Sequence, residues 1–313
     1  MTSSVDLRVR LGDLELPNPI VAASGTFGYG DEVARLCPPD RLGAVTVKSL
    51  AAFEWSGNPA PRLAPTAAGG MLNSIGLQGP GVEHWIEHKL PELRALGTRV
   101  FASVWGRTVD DFAVVAKMLA PAVADLVGVE VNVSCPNVED RARMFAHSTA
   151  STAAVISAVL DADLGLPVFA KLSPNTFEIV DIARAAVDAG ATGLTLVNTL
   201  LGFGIDASTR QARLATGGGG LSGPPLKPVA LRAVHDVSQA LPGTPIIGTG
   251  GISTGEDVVE MLLAGASAVG VGTVTFREPR AMLRILGELE AWCGEQGIAA
   301  VSDLTGALEE KRQ

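Results

Sequence analysis

Val168-Phe169-Ala170-Lys171, then a helix-period stretch from Thr176 to Ala189, then Gly193-Leu194-Thr195-Leu196-Val197-Asn198: here the chain runs from one apolar segment through an amphipathic one into another. That succession is the pattern of a βαβ unit with two parallel strands. It extends in both directions. Apolar segments at Ile20 to Ala23, Ala44 to Lys48, Val100 to Ser103 and Val129 to Asn132 precede the unit, and Ile246 to Thr249 and Ala268 to Val271 follow it. Helical periodicity covers Asp110 to Ala124, Thr149 to Asp161, Pro228 to Ala240 and Thr254 to Ala264. Eight strand segments predict an α/β fold closed as a TIM (β/α)8 barrel, because an open doubly wound sheet more commonly has six. Ahead of the first strand, Leu7 to Leu16 alternates around Gly12-Asp13, which predicts a β-hairpin at the barrel's bottom. No Gly/Ser linker interrupts the pattern, so residues 1–313 are expected to form one domain.

Composition narrows the function. The 313 residues are 47% hydrophobic with a formal net charge of -9, and no run of Lys or Arg offers nucleic acid a surface. The start lacks a basic segment followed by an apolar one, and charged residues such as Lys117 and Asp125 break the longest apolar stretches; a cytoplasmic chain with no membrane partner is expected. Cys37, Cys135 and Cys293 form no C-x-x-C pair, so neither a disulfide framework nor a cysteine-ligated metal cluster is expected.

The chemistry collects where strands end. Connections at roughly residues 49–82, 134–148 and 199–227 exceed simple turns and follow strand ends, so they are expected over the barrel's C-terminal mouth. Gly248-Thr249-Gly250-Gly251 and Gly270-Val271-Gly272-Thr273 follow the seventh and eighth strands, where barrels bind phosphate at a short helix N-terminus. Neither matches G-x-G-x-x-G, so a mononucleotide is favoured over a dinucleotide. Lys48 and Lys171 end apolar strands, and with the amides of Asn73, Asn132, Asn137 and Asn198 they describe a pocket for a small planar anion. Val131-Asn132-Val133-Ser134-Cys135-Pro136-Asn137 carries an apolar strand into a thiol flanked by amides, and Pro136 stops the strand. Cys135 is therefore read as a catalytic acid/base or nucleophile. His84-Trp85-Ile86-Glu87-His88 formally matches a zinc-peptidase pattern, but with no strong third ligand it reads better as a surface helix.

Taken together, these residues resemble the class 1 dihydroorotate dehydrogenases, most closely the catalytic subunit of the two-protein class 1B type. The resemblance spans nearly the whole chain. It rests on Ala23-Ser24-Gly25-Thr26-Phe27-Gly28-Tyr29-Gly30, Val47-Lys48-Ser49, Gly57-Asn58-Pro59-Ala60-Pro61-Arg62 and Met71-Leu72-Asn73-Ser74-Ile75-Gly76-Leu77-Gln78. It continues through Asn132 to Asn137, Lys171-Leu172-Ser173-Pro174-Asn175, Asn198-Thr199-Leu200, Gly219-Gly220-Leu221-Ser222-Gly223-Pro224 and the late glycine loops.

The resemblance implies a flavoprotein of pyrimidine biosynthesis that oxidises dihydroorotate to orotate with one non-covalent FMN per chain. On that reading Ser24, Lys48, Ser49, Ser103, Asn132, Lys171, Val197, Gly223, Gly250, Gly251, Gly272 and Thr273 hold FMN. Lys48, Asn73, Ser74, Ile75, Gly76, Leu77, Asn132, Asn137, Asn198 and Thr199 hold the pyrimidine and its carboxylate. Cys135 takes a proton from C5 while hydride leaves C6 for flavin N5. The class also implies a homodimer joined to a subunit carrying FAD and an iron-sulfur cluster, a heterotetramer that passes electrons to NAD. Two segments depart from it: Ser103 stands where many relatives have Asn, and Glu139 to Phe145 replaces a glycine-containing lid. The alternatives are a flavin-dependent dihydropyrimidine dehydrogenase, against which Asn137 and the lack of ferredoxin-like Cys runs count, and a non-catalytic flavin- or phosphate-binding barrel.

Overall fold

The computed structural model describes residues 5–30, 32–134, 136–137 and 143–309. Its centre is a closed barrel of eight strands: β1 (Ile20–Ala22), β2 (Ala44–Thr46), β3 (Val100–Val104), β4 (Leu126–Asn132), β5 (Val168–Lys171), β6 (Gly193–Leu196), β7 (Ile246–Thr249) and β8 (Ala268–Val271). Each pairs in parallel with the next in sequence, and β8 closes onto β1. The strands are buried on both faces, which is why they read as near-continuous apolar runs.

Helices α1 (Val82–His88), α2 (Leu90–Ala95), α3 (Val109–Met118), α4 (Thr149–Leu160), α5 (Ile179–Asp188), α6 (Lys227–Ala240), α7 (Gly255–Leu263) and α8 (Ala281–Gln296) lie among these strands in sequence. Local chemistry sets several boundaries. Thr108 and Ser148 cap α3 and α4, and Thr254 and Asp257 form a reciprocal capping box on α7. The helical stretch expected to reach Ala124 instead ends at Met118 and continues as a 3-10 segment, Ala120–Asp125. Pro121 explains the break, since its ring and missing N-H cannot continue an α-helix.

Inside the barrel, Phe101 on β3 and Phe169 on β5 meet edge to face at 5.6 Å. Their neighbours must be glycines. A Cβ on Gly128 would sit 2.4 Å from the Phe101 ring, and one on Gly193 would sit 2.5 Å from the Phe169 ring. These rings fill the barrel's lower layer and leave the layer above, at Ser103, Glu130, Asn132, Lys171 and Thr195, to polar side chains. The N-terminal hairpin, Val9–Leu11 against Leu14–Leu16, buries Leu11 and Leu16 in the core. Its turn at Gly12 approaches Thr192, just before β6 begins, so the hairpin sits at the barrel's N-terminal end as expected.

All three long connections carry strands of their own. Leu63–Pro65 and Met71–Asn73 from the first join Gly218–Ser222 and Leu200–Phe203 from the last in a four-stranded antiparallel sheet. In the middle connection, Pro136–Asn137 pairs with Arg143–Met144. Among the described residues, no helix is long and apolar enough to cross a membrane.

Candidate active site

A cavity of about 1310 Å³ opens where the strands end, between the barrel and the antiparallel sheet. Three groups of side chains and backbone converge on it.

The first group is cationic. Lys48, just beyond β2, and Lys171, the last residue of β5, both line the cavity. Lys171 is 6% exposed and pairs with Glu130, itself 3% exposed, at 3.4 Å. Lys48 has no carboxylate partner among the described residues. Burial, followed by repulsion from Lys171, brings its ammonium from 10.5 down to about 8. An anion entering the cavity meets a charge that no carboxylate among the described residues compensates.

The second group is a chain of amides and hydroxyls. Asn198 donates to the Asn132 side-chain oxygen at 3.3 Å, and Asn132 donates to Ser49 Oγ at 3.3 Å. Ser24 donates to the Val47 carbonyl at 2.8 Å and lies 3.4 Å from Ser49 Oγ. Asn198 Oδ1 also accepts from the Thr199 N-H, at 2.8 Å. Above them run Asn73, Ser74, Ile75, Gly76 and Leu77, all lining the cavity. Trp55 fixes this segment by donating to the Gly76 carbonyl at 2.9 Å, and Asn58 by donating to the Ser74 carbonyl at 3.2 Å. Asn73 reaches across to donate to the Gly220 carbonyl at 3.3 Å. The sheet therefore presents a rigid strip to the cavity.

The third group is glycine backbone. Gly223, Gly250, Gly251, Gly272 and Thr273 line the same cavity with Val197. Gly251 has φ +81°, and a Cβ there would lie 2.7 Å from the Lys227 backbone nitrogen at the start of α6. Only glycine allows this approach. A 3-10 turn, Thr273–Phe276, begins where β8 ends, so short helix starts adjoin the glycines. Arg284 on α8 braces the rim, donating to the Ser253 carbonyl at 3.2 Å and pairing with Glu278 at 2.7 Å.

Ser103 is placed differently from the other candidates. It is fully buried below the cavity, 3.0 Å from Ser49 Oγ, and donates to Glu130 at 3.1 Å. Cys135 lies outside the described residues, as do Glu139 to Ala142 of the altered lid. For Asn137 the structure gives the backbone pairing alone. His84 and His88 are exposed with ring centroids 4.4 Å apart, while Trp85 between them is buried and donates to the Tyr29 carbonyl. Among the described residues no three metal-ligating side chains gather.

A family model described as Dihydroorotate dehydrogenase matches residues 6–292. The chain belongs to the dihydroorotate dehydrogenase family. It is 45% identical over 306 residues to a protein of Alkaliphilus metalliredigens named "Dihydroorotate dehydrogenase B (NAD(+)), catalytic subunit", a match covering 98% of this chain and 100% of that one. A protein of the same name from Geobacter metallireducens is 44% identical over 304 residues, covering 97% of this chain and 98% of its own.

Sequence reasoning passed over Glu130. It is a lone carboxylate in an apolar strand, two residues before Asn132 and therefore on the same face. That phase was the available signal. The bracing role of Arg284 was marked locally by its i,i+4 pair with Glu288 on α8 alone, because its other partners lie on the connection ahead of α8 and on the loop after β7.

Proposed function

We propose that this chain oxidises dihydroorotate to orotate in pyrimidine biosynthesis, using one non-covalent FMN in a single barrel domain. The observation that carries the reading is the convergence of two lysines and an amide chain on one glycine-rimmed cavity, in a member of this family. The residues fit FMN. Gly223, Gly250, Gly251, Gly272 and Thr273 offer bare backbone and helix starts to a phosphate, and the polar layer beneath offers donors to a flat, hydrogen-bonding ring. FMN, when bound, supplies the hydride acceptor.

The chain's own residues do the rest. Lys48 and the amides of Asn73, Asn132, Asn137 and Asn198, with Ser74, Ile75, Gly76, Leu77 and Thr199, hold the pyrimidine and its carboxylate. Ser24, Ser49, Lys171 and Val197 would hold the cofactor, and Ser103 supports Ser49 from below. Cys135 takes the proton from C5 as hydride leaves C6. A thiolate serves as base once water is excluded, because its ordinary pKa near 8.5 is within reach of neutral pH. The crossing sheet supplies the upper wall of the cavity.

The names of the relatives support a further step: this chain acts as a catalytic subunit, and its electrons go to NAD through a partner. The partner carries FAD and an iron-sulfur cluster and docks on a homodimer of this chain, giving a cytoplasmic heterotetramer. The test has two parts. Acid release identifies the nucleotide, with FAD or no flavin overturning the cofactor assignment. Anaerobic mixing with dihydroorotate, dihydrouracil and dihydrothymine in parallel then follows flavin bleaching. Dihydroorotate alone should bleach at a catalytic rate; preference for either of the others would make the chain a dihydropyrimidine dehydrogenase.

A further inference from the structure

We propose that Glu130 is a positioning residue, which together with Ser103 fixes the Lys171 ammonium and the Ser49 hydroxyl from beneath the cavity without touching what the cavity holds. The inference rests on the reading of the cavity as a flavin and pyrimidine site.

Glu130, 3% exposed, is not part of the cavity wall, whereas Lys171 and Ser49 are. One carboxylate oxygen, Oε1, receives both the Lys171 ammonium at 3.4 Å and the Ser103 hydroxyl at 3.1 Å. Ser103 then lies 3.0 Å from Ser49, and Ser49 accepts from Asn132 at 3.3 Å. A continuous buried chain thus joins the β5 lysine to the β2 hydroxyl and the β4 amide. Register explains how these groups meet: Ser103 pairs with Glu130, and Lys171 pairs with both Asn132 and Thr195, so all five project to the barrel interior. Among the described residues, the charged groups facing Lys171 are Glu130 from β4 and Lys48 from beyond β2, while β3 and β6 present the neutral Ser103 and Thr195.

This arrangement assigns different work to the two lysines. Lys171 is held by a carboxylate and has one direction in which to point. Lys48 has no such tether among the described residues and answers to the ligand. Without Glu130, two ammoniums would face one cavity with no carboxylate among the described residues behind them, and removing one member of a buried pair strands the other. Ser103 belongs to the same device, which gives it an effect on the cofactor without contact.

The test is a double-mutant cycle on the FMN-loaded and FMN-stripped chain: wild type, Glu130→Gln, Lys171→Met and the double variant. Glutamine keeps the shape and still accepts from Ser103. FMN affinity is read by fluorescence quenching, the flavin midpoint potential by dye equilibration, and folding by thermal unfolding of the stripped protein. Glu130→Gln should weaken FMN binding on the order of fivefold or more and move the potential in the native background, the scale of coupling between residues in contact. In the Lys171→Met background the same change should be neutral or favourable to stability and binding, since it removes a stranded carboxylate. Glu130→Asp, which keeps the charge, should recover part of the loss. Equal losses in both backgrounds, or an unmoved potential in Glu130→Gln, would overturn the positioning role. A wild-type chain that binds no FMN overturns the cofactor reading and this inference with it, whereas FMN binding with additive variants overturns this inference alone.

Discussion

The sharpest quantitative consequence concerns Lys48. In the ligand-free fold its ammonium is brought from 10.5 to about 8, first by burial and then by Lys171. That lowering corresponds to roughly 3 kcal/mol of disfavoured charge, at ~1.4 kcal/mol for each pH unit. The sign follows from linkage. Between pH 8 and 10.5 the folded, ligand-free chain has shed a proton that the unfolded chain keeps, so its stability rises with pH across that window. Ligand binding runs the other way. If orotate's carboxylate binds beside Lys48 it would restore the charged form, so affinity should be greatest below pH 8 and fall by up to about tenfold per pH unit above it. The roughly 3 kcal/mol sets a ceiling near ~300-fold, and because Lys48 opens on a cavity that water enters, a charged hydrogen bond's ~10–100-fold is the expected total. Orotate titrations of the FMN-loaded chain, followed by the change in flavin absorbance from pH 6.5 to 10, measure it. Lys48→Met should lose about 10–100-fold in affinity at pH 7 and flatten the slope above pH 8. Any titration of orotate itself is common to both proteins and cancels in the comparison. A Lys48→Met variant with the wild-type slope would refute the assignment of that slope to Lys48.

Cys135→Ala should keep FMN and bind orotate yet slow flavin reduction by dihydroorotate roughly a hundredfold or more in stopped flow, the scale of a lost general base. Cys135→Ser should retain a little activity that grows with pH; near-wild-type reduction in the alanine variant would move the base elsewhere, with His147 the first residue to try. Gly251→Val should lose FMN on gel filtration and unfold at lower temperature, because a side chain there meets the Lys227 backbone at a φ of +81°; full FMN retention would remove that loop from the cradle. The isolated chain should pass electrons from dihydroorotate to a dye but negligibly to NAD, with NAD reduction appearing on co-expression with its partner; rapid NAD reduction by the chain alone would refute the two-subunit arrangement.

The barrel was legible because its code is local. Each strand is largely buried on both faces, so β3 and β5 appear as short apolar runs, Val100 to Ala102 and Val168 to Ala170, that end in a polar residue, whatever their neighbours are. The places of Lys48, Lys171, Asn132 and Asn198 on the cavity were legible for a related reason: a polar residue at the end of a buried strand has few places to go other than the mouth. The crossing sheet was not legible. Asn73 bonds to Gly220, 147 residues away, and the strand Gly218–Ser222 opens with three glycines that carry no β-propensity. Their identity comes from contact, since a Cβ on Gly220 would lie 2.0 Å from Thr199 Oγ1 and one on Gly219 2.5 Å from the Asn73 carbonyl. α8 escaped notice because Gly287 and Gly294 interrupt its helix-forming sequence. Glu130 escaped for the opposite reason, standing singly within a run otherwise apolar. A buried carboxylate is too costly to keep without a partner, and its two-residue phase with Asn132 already placed it on the inner face. The cation it needed was Lys171, at the end of the next strand, where parallel pairing brings Glu130 level with Phe169, two residues before the lysine.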